Sequence, residues 1–385
     1  MTAIDDCRLR VLLVIESCGG GSARHVADLA AGLLAEGHDV EVAYSPLRAD
    51  GWFLAELQAL TGPGLVMHSI DMFRNPGLHD AKAARQLRAL LKDCKPFDVV
   101  HGHSAKAGAL VRLAGYGDPA LKVYTPHAFI TLDPELGAKK RLVYTVAERL
   151  LAPLADGIVC VSNEEKDHAE SLGISSQLLV TIENGLAPLP DADREAARST
   201  LGLKESDVCF GFVGRISGQK PVARLVLALQ LLYTQCPNAV VVIVGEGPDY
   251  EDVQQLAQTL NIEDRVRFTG AADGQFLMAG FDVFVLPSSY EAFPYVYLEA
   301  LARGLPIIST DVGGSAAVID HGVNGYIVPQ NKLEQLAKYM AVLAEDGEMR
   351  GRMSQHSLEK SKQFTVKNMV ANTIAVYKSL KAQQG

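Results

Sequence analysis

Short runs of apolar residues alternate with longer segments in which apolar residues recur every three or four positions. The run at 10–16 is apolar at successive positions, as expected of a strand covered on both faces of a parallel sheet. The longer segments place their apolar residues on one face, which is typical of helices packed on such a sheet. The pattern predicts strands at 10–16, 40–44, 98–101, 122–125, 157–162, 179–182, 209–213, 239–244, 266–269, 283–286 and 306–310. It predicts helices at 23–36, 81–92, 105–114, 139–152, 164–172, 194–201, 221–235, 250–260, 333–343 and 369–382, with a further helix opening at Pro294.

The regular alternation of strands with helices predicts an α/β fold class with doubly wound parallel sheets. The composition changes at 186–193, which is rich in proline. We therefore expect a Rossmann-like domain at 1–190, a linker at 191–206 and a second such domain at 207–365. The last helix, at 366–385, is expected to pack back on the first domain. The two domains are expected to face each other across a cleft.

Composition narrows the class of protein further. The 385-residue chain has 48% hydrophobic and 21% charged residues, the balance of a globular enzyme. Its net charge of −9 argues against a nucleic-acid partner. No apolar run approaches the ~18 residues of a spanning helix, and the acidic start of the chain does not resemble a signal peptide. The scattered cysteines fit reduced thiols in the cytoplasm: they are Cys7, Cys18, Cys94, Cys160, Cys209 and Cys236.

A glycine-rich turn follows the first predicted strand. Gly19 and Gly21 supply part of a dinucleotide-binding pattern, but Arg24 stands where the third glycine should be. No acidic residue ends the second strand near Tyr44, which also counts against NAD. Two interpretations stay open. The glycines permit a tight turn, or their bare backbone lets a phosphate or sugar approach closely.

Three loops in the second half of the chain carry charged residues at successive strand ends. The first holds Arg215 and Lys220. The planar guanidinium of the arginine and the compact ammonium of the lysine could together neutralise a diphosphate. The second is the turn around Glu246, and the third places Glu291 and Glu299 on either side of a helix start. Taken singly, the first pattern also fits a solvated loop, the second an ordinary turn, and the third a spacing that arises by chance. Because carboxyl ends of parallel strands meet at one edge, their order predicts a single crevice. The helix start there favours a phosphate.

These features lie in a set of motifs that spans nearly the whole chain. The motifs are GGGSARHVADLAAGLLAEGH at 19–38, VVHGHSAKAG at 99–108, TPH at 125–127, ENG at 183–185, VGRISGQKP at 213–221, VGEGPDYE at 244–251 and YEAFPYVYLEALARGLPII at 290–308. Together they resemble the retaining glycosyltransferases of family 4, which have the GT-B fold of two Rossmann-like domains. Two motifs, HSAKAG and TPHAF, are particularly similar to bacterial enzymes that build lipopolysaccharide O-antigen, capsule and exopolysaccharide.

The resemblance implies a donor site for a nucleoside diphosphate (NDP) sugar, linked to either uridine or guanosine. In it, Arg215 and Lys220 would bind the pyrophosphate, Glu299 the ribose hydroxyls and Glu291 the transferred sugar. Further donor contacts would come from Gly20 and Gly21 at the pyrophosphate when the cleft closes, from Glu246, from the backbone of Ala292, Phe293, Pro294 and Tyr295 at the phosphates, and from Val266 and Arg267 at the nucleobase.

The resemblance also implies which residues are catalytic: His127, Glu291, Arg215 and Lys220. The carbonyl of His127 would lie near the anomeric carbon, where an oxocarbenium-like centre develops. The two cations and the helix amides would stabilise the departing phosphate without a metal ion or cofactor. Retention without an evident carboxylate nucleophile fits attack on the same face, with the departing phosphate taking the proton of the acceptor. The acceptor, a glycan or lipid-linked oligosaccharide, would meet His103, Ser104 and Lys106.

Two positions depart from the family pattern. Ala317 stands where family members often have glutamate, and Pro221 follows the loop lysine where glycine is usual. Neither change removes a charge that the predicted donor site needs.

Two short patterns raise the question of a metal. His101 and His103 form an HxH pair, but no third ligand is evident, and we favour histidines that line the cleft or the core. Asp191 and Asp193 resemble the DxD of some sugar transferases. Because they precede a helix rather than end a strand, we favour capping. We therefore predict no metal.

A basic stretch at 139–151 opens a helix with an apolar face. We favour packing of that face in the core. The alternative is docking on anionic lipid at the inner face of the cell membrane, where a lipid-linked acceptor would be located.

The leading hypothesis is a retaining hexosyltransferase that uses an NDP-sugar to extend a bacterial surface glycan. One alternative is a nucleotide-sugar 2-epimerase of the same shape, which would act on the donor with no acceptor present. The other is a non-catalytic protein that binds sugar nucleotides.

Overall fold

The computed structural model describes residues 8–62, 64–94 and 96–384. The start of the chain with Cys7, and with it the expectation about a signal peptide, lies outside the described residues. The chain divides into two compact units. The first comprises Met1–Ala187 and Thr365–Gly385, and the second comprises Pro188–Phe364.

The first unit is a parallel sheet covered by helices. Its strands are β1 (Arg10–Ile15), β2 (Asp39–Tyr44), β3 (Val66–Ser69), β4 (Val99–His103), β5 (Leu121–Thr125), β6 (Gly157–Cys160) and β7 (Leu179–Thr181). Its helices are α1 (Gly20–Ala35), α2 (Gly51–Thr61), α3 (His79–Asp93), α4 (Ala105–Ala114), α5 (Ala138–Leu151) and α6 (Asn163–Ser171), together with the C-terminal helix of the chain (Val366–Gln384). The strand order is β3-β2-β1-β4-β5-β6-β7.

Strand β1 shows why continuous apolar runs form the centre of this sheet. Successive side chains of a strand point to opposite faces. Leu13 packs into the core that holds α1, whereas Leu12 and Val14 pack into the core that holds α3 and α4. Because both faces are covered, no position along the strand can be polar without a partner.

The C-terminal helix belongs to the first unit. Met369 and Tyr377 are buried in the same core as α1. The hydroxyl of Tyr377 lies 2.7 Å from Nδ1 of His101 on β4. The helix approaches α1 so closely that a Cβ on Gly32 would lie 2.3 Å from Val370. Its last turns therefore pack on the sheet that the start of the chain forms.

The second unit repeats the architecture. Its strands are β8 (Val208–Val213), β9 (Ala239–Val244), β10 (Val266–Gly270), β11 (Val283–Leu286), β12 (Ile307–Thr310) and β13 (Gly325–Val328). Its helices are α7 (Arg194–Thr200), α8 (Ala223–Leu232), α9 (Tyr250–Thr259), α10 (Gly274–Leu277), α11 (Tyr295–Ala302), α12 (Ser315–Val318), α13 (Leu333–Glu345) and α14 (Gly347–Ser361). The order β10-β9-β8-β11-β12-β13 is that of a doubly wound sheet with its switch point between β8 and β11. The predicted fold class of two Rossmann-like parallel-sheet domains is confirmed.

Several elements were absent from the prediction, among them α2, β3, β13 and α14. Strand β3 lies at the edge of its sheet, and its four residues are exposed or half-buried, so it lacks an apolar run. The predicted linker at 191–206 lies inside the second unit. There Arg198 of α7 forms an ion pair with Asp282 at 3.1 Å, which attaches the segment to the sheet.

Among the described residues, no helix combines the length and the apolar character that crossing a membrane would require.

Candidate functional site

Three loops meet at the carboxyl edge of the second sheet. The amide of Ile216, after β8, donates to the carbonyl of Glu246, after β9, at 2.9 Å. The amide of Gly245 donates to the carbonyl of Gly270, at the end of β10, also at 2.9 Å. A Cβ on Gly247 would lie 1.9 Å from the carbonyl oxygen of Ile216. The glycines are therefore required for the backbones to touch, and the predicted convergence of the basic loop with the Gly-Glu-Gly turn is present.

The two predicted donor-site cations differ in their surroundings. Arg215 is exposed, and within the described ranges no hydrogen bond or ion pair holds its guanidinium. Lys220 is largely buried and lies with its Nζ 2.8 Å from Oε1 of Glu291. The same oxygen accepts a hydrogen bond from the hydroxyl of Ser288 at 2.9 Å. The basic loop and the acidic loop thus lie side by side, with one cation exposed at the surface and one held by a carboxylate beneath it.

Helix α11 follows the loop that carries Glu291. Pro294 is its N-cap and is extended, so the structure begins the helix at Tyr295, one residue later than predicted. Ala292, Phe293 and Tyr295 are buried. Oε1 of Glu299, one turn into the helix, accepts from the side-chain amide of Gln275 at 2.7 Å. The free N–H groups of the first turn make this end of the helix favourable for an anion.

A glycine pair after β12 packs against the loop that precedes α11. A Cβ on Gly313 would lie 2.4 Å from the carbonyl oxygen of Glu291, and one on Gly314 would lie 2.6 Å from the ring of Phe293. Gly314 also has a φ of +79°, in the region that favours glycine. The pair therefore lets the loop that carries Glu291 pack directly against the backbone after β12.

The predicted nucleobase contacts are not at this edge. Val266 and Arg267 lie at the amino-terminal end of β10, where Val266 is buried and Arg267 donates to the carbonyl of Asp264 at 2.6 Å. In a parallel sheet, the amino and carboxyl ends of the strands lie at opposite edges. The residue of β10 that reaches the loops described above is Gly270, whereas the roles of Val266 and Arg267 stay predictions.

In the first unit, three imidazoles converge at the carboxyl ends of β4 and β5. Nδ1 of His103 lies 3.1 Å from Nε2 of His127, and Nδ1 of His25 lies 2.9 Å from the side-chain oxygen of Asn184. Nε2 of His103 has no hydrogen-bond partner among the described residues. Sequence patterns missed His25, which looks like a core position on the apolar face of α1. We call His25, His103 and His127 the histidine cluster.

Burial keeps the histidine cluster neutral. It lowers the pKa of His25 to about 4, although the hydrogen bond to Asn184 opposes the change. It also lowers the pKa of His103 and of His127 well below the ordinary value, and the neighbouring imidazoles add to the effect. At neutral pH the cluster therefore offers hydrogen-bond donors and acceptors rather than positive charge.

The cluster bears on the question of a metal. One ring nitrogen of each histidine lies within 4.8 Å of those of the other two, and the three could hold a metal ion. His25 is thus the third ligand candidate that the HxH pattern lacked. His101 is not part of this group, because Tyr377 and Thr125 occupy both of its nitrogens at 2.7 and 2.8 Å. Asp193 caps α7 by accepting from the amide of Glu195, as the capping interpretation predicts.

The other predicted residues of the first unit lie after the carboxyl ends of β1 and β4. Gly20 and Gly21 are exposed in the first turn of α1, which begins three residues earlier than predicted. Gly20 has a φ of +63°, and a Cβ there would meet nothing within 4 Å. Ser104 has a φ of +81°, and its buried hydroxyl has no partner among the described residues. Lys106 of α4 forms an ion pair at 2.6 Å with Asp80 in the first turn of α3, which connects the two helices.

Helix α5 turns its apolar face to the surface, whereas we expected that face to pack in the core. Leu142, Val143, Val146 and Leu150 are exposed, at 65%, 65%, 44% and 70%. The side turned inward carries Glu148, which forms a buried ion pair with Arg112 at 3.0 Å and accepts from the hydroxyl of Tyr124 at 3.1 Å. The expectation that the apolar face packs in the core is therefore wrong.

Comparison with known proteins follows the division into two units. A family model described as glycosyl transferase 4-like domain matches residues 20–185, and one described as glycosyl transferases group 1 matches residues 193–360. The UDP-Gal:alpha-D-GlcNAc-diphosphoundecaprenol alpha-1,3-galactosyltransferase of Escherichia coli is 30% identical over 70% of this chain and 72% of its own. A D-inositol 3-phosphate glycosyltransferase of Saccharomonospora viridis is 28% identical over 74% of this chain and 71% of its own. The crystal structure of Anabaena HepE in complex with UDP-glucose superposes with a TM-score of 0.81, at 22% identity, over 97% of this chain and 100% of the other.

Together the two units constitute the GT-B fold. The chain belongs to the family of glycosyltransferases that these two domain models describe. The family predicted from the motifs is thereby confirmed, whereas the roles of individual residues stay predictions.

Proposed function

We propose that this protein is a retaining hexosyltransferase that moves a hexose from a UDP- or GDP-linked donor to a bacterial surface glycan, with a lipid-linked acceptor. The observation that carries the proposal is the edge of the second sheet, where Arg215, Lys220, Glu246 and Glu291 lie on loops that contact one another or the start of α11. This combination of cations, helix amides and carboxylates suits a ligand with phosphates at one end and hydroxyls at the other.

The donor would bind with its pyrophosphate beside the cations. Arg215, exposed in its loop, would take one phosphate bidentately, and Lys220 with the first amides of α11 would take the other. Glu299 would accept from the ribose hydroxyls and Glu291 from those of the hexose. As the bond to the anomeric carbon breaks, charge develops on the leaving phosphate, and these donors stabilise it without requiring a metal. We propose that retention arises from attack on the same face, with that phosphate accepting the proton.

The first unit supplies the remaining proposed contacts. Gly20 and Gly21 would offer bare backbone to the pyrophosphate, and His127 would meet the transferred sugar. For the acceptor, two buried polar atoms support the proposal: Nε2 of His103 and the hydroxyl of Ser104, neither of which has a partner among the described residues. Each would gain a hydrogen bond from an acceptor hydroxyl, offsetting the cost of burying an unpaired polar group. Lys106 would act indirectly, through Asp80.

The test is incubation of the purified protein with a panel of UDP- and GDP-hexoses, with and without lipid-linked glycan acceptors. We expect one sugar nucleotide to raise the melting temperature, because ligand binding stabilises the folded state. With acceptor, NMR should show a product that keeps the anomeric configuration of the donor, also in the presence of a chelator. Conversion of the sugar nucleotide without acceptor would point to the 2-epimerase instead. Binding without either reaction would favour a non-catalytic protein.

We also propose that α5 docks on an anionic membrane surface, at the inner face of the cell membrane. Its apolar side chains Leu142 and Leu150 are mostly exposed, and Lys139 and Lys140 are exposed on its first turn. Insertion of such a face into the headgroup region would bury the apolar residues, and the cations would attract anionic lipid. A lipid-linked acceptor at the same surface would then be within reach.

Sedimentation with phosphatidylglycerol vesicles tests this docking. We expect binding that weakens with salt and is lost on phosphatidylcholine. The variant Leu142→Ser/Leu150→Ser should bind at least about tenfold more weakly, since each buried leucine contributes about 1.5–3 kcal/mol. Leu231→Ser removes a leucine that is 55% exposed in the second unit, and it should bind as the wild type does. Equal sedimentation with both lipids would end the proposal.

A further inference from the structure

The loop that carries His127 has an unusual backbone. His127 and Ala128 have φ values of +55° and +91°. For L-residues, the left-handed region costs about 1–2 kcal/mol per residue, and two such residues in succession need a compensating interaction. Neither is a glycine, so the sequence alone gives no sign of this conformation. The question is what holds it.

The compensating interaction comes from a carboxyl group on the neighbouring helix. Oε1 of Glu165, in the first turn of α6, accepts from the amide of Ala128 at 2.7 Å. Oε2 accepts from the amide of Val161, just after β6, at 2.8 Å. Glu165 is 1% exposed. Each oxygen thus holds one strand-end loop, and the side chain joins the loop after β5 to the loop after β6.

Helix capping does not account for this arrangement. Ser162 and Glu165 have the spacing of a capping box, and the serine hydroxyl does accept from the amide of Glu165 at 3.1 Å. In a capping box, the glutamate returns a bond to the amide of the N-cap residue. Here both of its oxygens go instead to Val161 and to the loop of His127. The burial is also costly, and it raises the pKa of Glu165 to about 7, against the opposing effect of the backbone amides.

We infer that Glu165 is a positioning residue of the transferase, which holds the backbone at Ala128 and thereby fixes His127 in the histidine cluster. The inference rests on the proposed role of His127 at the transferred sugar. Glu165 itself touches neither donor nor acceptor. Its effect on catalysis comes through the place of the His127 carbonyl and ring.

The structural half can be tested without any substrate. In protein labelled with [15N]alanine, the amide proton of Ala128 is expected far downfield, as a short hydrogen bond to a carboxyl group requires. Glu165→Gln replaces the carboxylate by one neutral oxygen and one donor NH2 group, so the bond from the Ala128 amide is either lost or passes to a neutral acceptor and weakens. In both cases the resonance should move upfield. An Ala128 amide that keeps its position in Glu165→Gln would overturn the inference, whatever the outcome of the transfer assays.

The catalytic half uses the sugar nucleotide that the wild type turns over. Glu165→Gln is expected to lower kcat about a hundredfold, the effect of misplacing a reacting group by about 1 Å. The KM for the donor should change far less than kcat, because the charges proposed to bind its phosphates lie in the second unit. Glu170→Gln, an exposed position on the same helix, should leave kcat unchanged.

A second variant separates positioning from loss of folding. Glycine adopts positive φ without strain, so Ala128→Gly lowers the need for Glu165. The double variant Glu165→Gln/Ala128→Gly is therefore expected to recover part of the lost kcat, a coupling that a double-mutant cycle measures. No recovery, or a fall in melting temperature with unchanged kcat in Glu165→Gln, would overturn the positioning role. If the wild type turns over no sugar nucleotide, the proposed function fails, and the Ala128 resonance still decides whether Glu165 holds the loop.

Discussion

Replacing Lys220 by alanine is expected to lower kcat/KM for transfer by about two to three orders of magnitude, the cost of losing one donor aimed at developing charge. The nucleotide should also bind more weakly. Lys220 is largely buried, and its ammonium group lies 2.8 Å from Glu291. The position of this group is therefore already set before the donor binds. Water cannot replace such a group at the moment of bond cleavage. Steady-state kinetics with titration calorimetry of the nucleotide measure both effects.

Loss of Lys220 also leaves the buried carboxylate of Glu291 without its cation, so a control for stability is needed. Lys338→Ala removes an exposed lysine from α13 and should change neither kinetics nor melting temperature. Lys220→Arg keeps a cation beside Glu291 and is expected to fold normally while still losing most activity, since the two cations differ in shape. Wild-type turnover in Lys220→Ala would refute the assignment of the donor site.

Gly247→Ala is expected to disrupt the carboxyl edge of the second sheet by a steric clash, without removing a charge. Its new Cβ would lie 1.9 Å from the carbonyl oxygen of Ile216, which is backbone and cannot rotate away. The loops after β8 and β9 must therefore separate. We expect a loss of about 1–3 kcal/mol of stability, as for other overpacked sites. Displacement of Arg215 by about 1 Å should lower kcat/KM by about a hundredfold.

The chain offers a matched control in the loop after β8, which Gly247 contacts. A Cβ on Gly218 would meet nothing within 4 Å. Gly218→Ala should therefore leave nucleotide affinity and melting temperature close to those of the wild type. Equal behaviour of the two variants in calorimetry would show that contact between the loops is not what shapes the edge.

The sequence predicted those features that leave a pattern along the chain, such as a run of apolar residues or a regular order of strands and loops. The strand at Arg10–Ile15 was predictable because both of its faces are covered and every position after Arg10 is apolar. The order of strands and loops along the chain was enough to bring Arg215, Lys220 and Glu246 to one edge, since parallel strands end on the same side of a sheet. Strand β3 gave no such signal, because an edge strand with exposed residues needs no apolar run.

Other features depend on contacts that a single sequence does not encode. The periodicity of α5 indicates an apolar face but not its direction, and the buried pair of Arg112 with Glu148 turns that face outward. His25 joins His103 and His127 from a position far away in the chain, and by itself it looks like a core residue. The position of Val266 and Arg267 at the amino-terminal end of β10 was likewise not evident from the sequence, since a motif identifies a strand more reliably than a position along it.

The C-terminal helix has a consequence for synthesis of the protein. Residues Pro188–Phe364 are contiguous, so the second unit needs no later segment of the chain for its core. The first unit does, because Met369 and Tyr377 reach its core only after the codons of the whole second unit have been read. The core of the earlier unit can therefore be completed only after the later unit has been synthesised. A premature stop just before the codon of Met369 would leave the earlier unit unfinished while the later unit is intact.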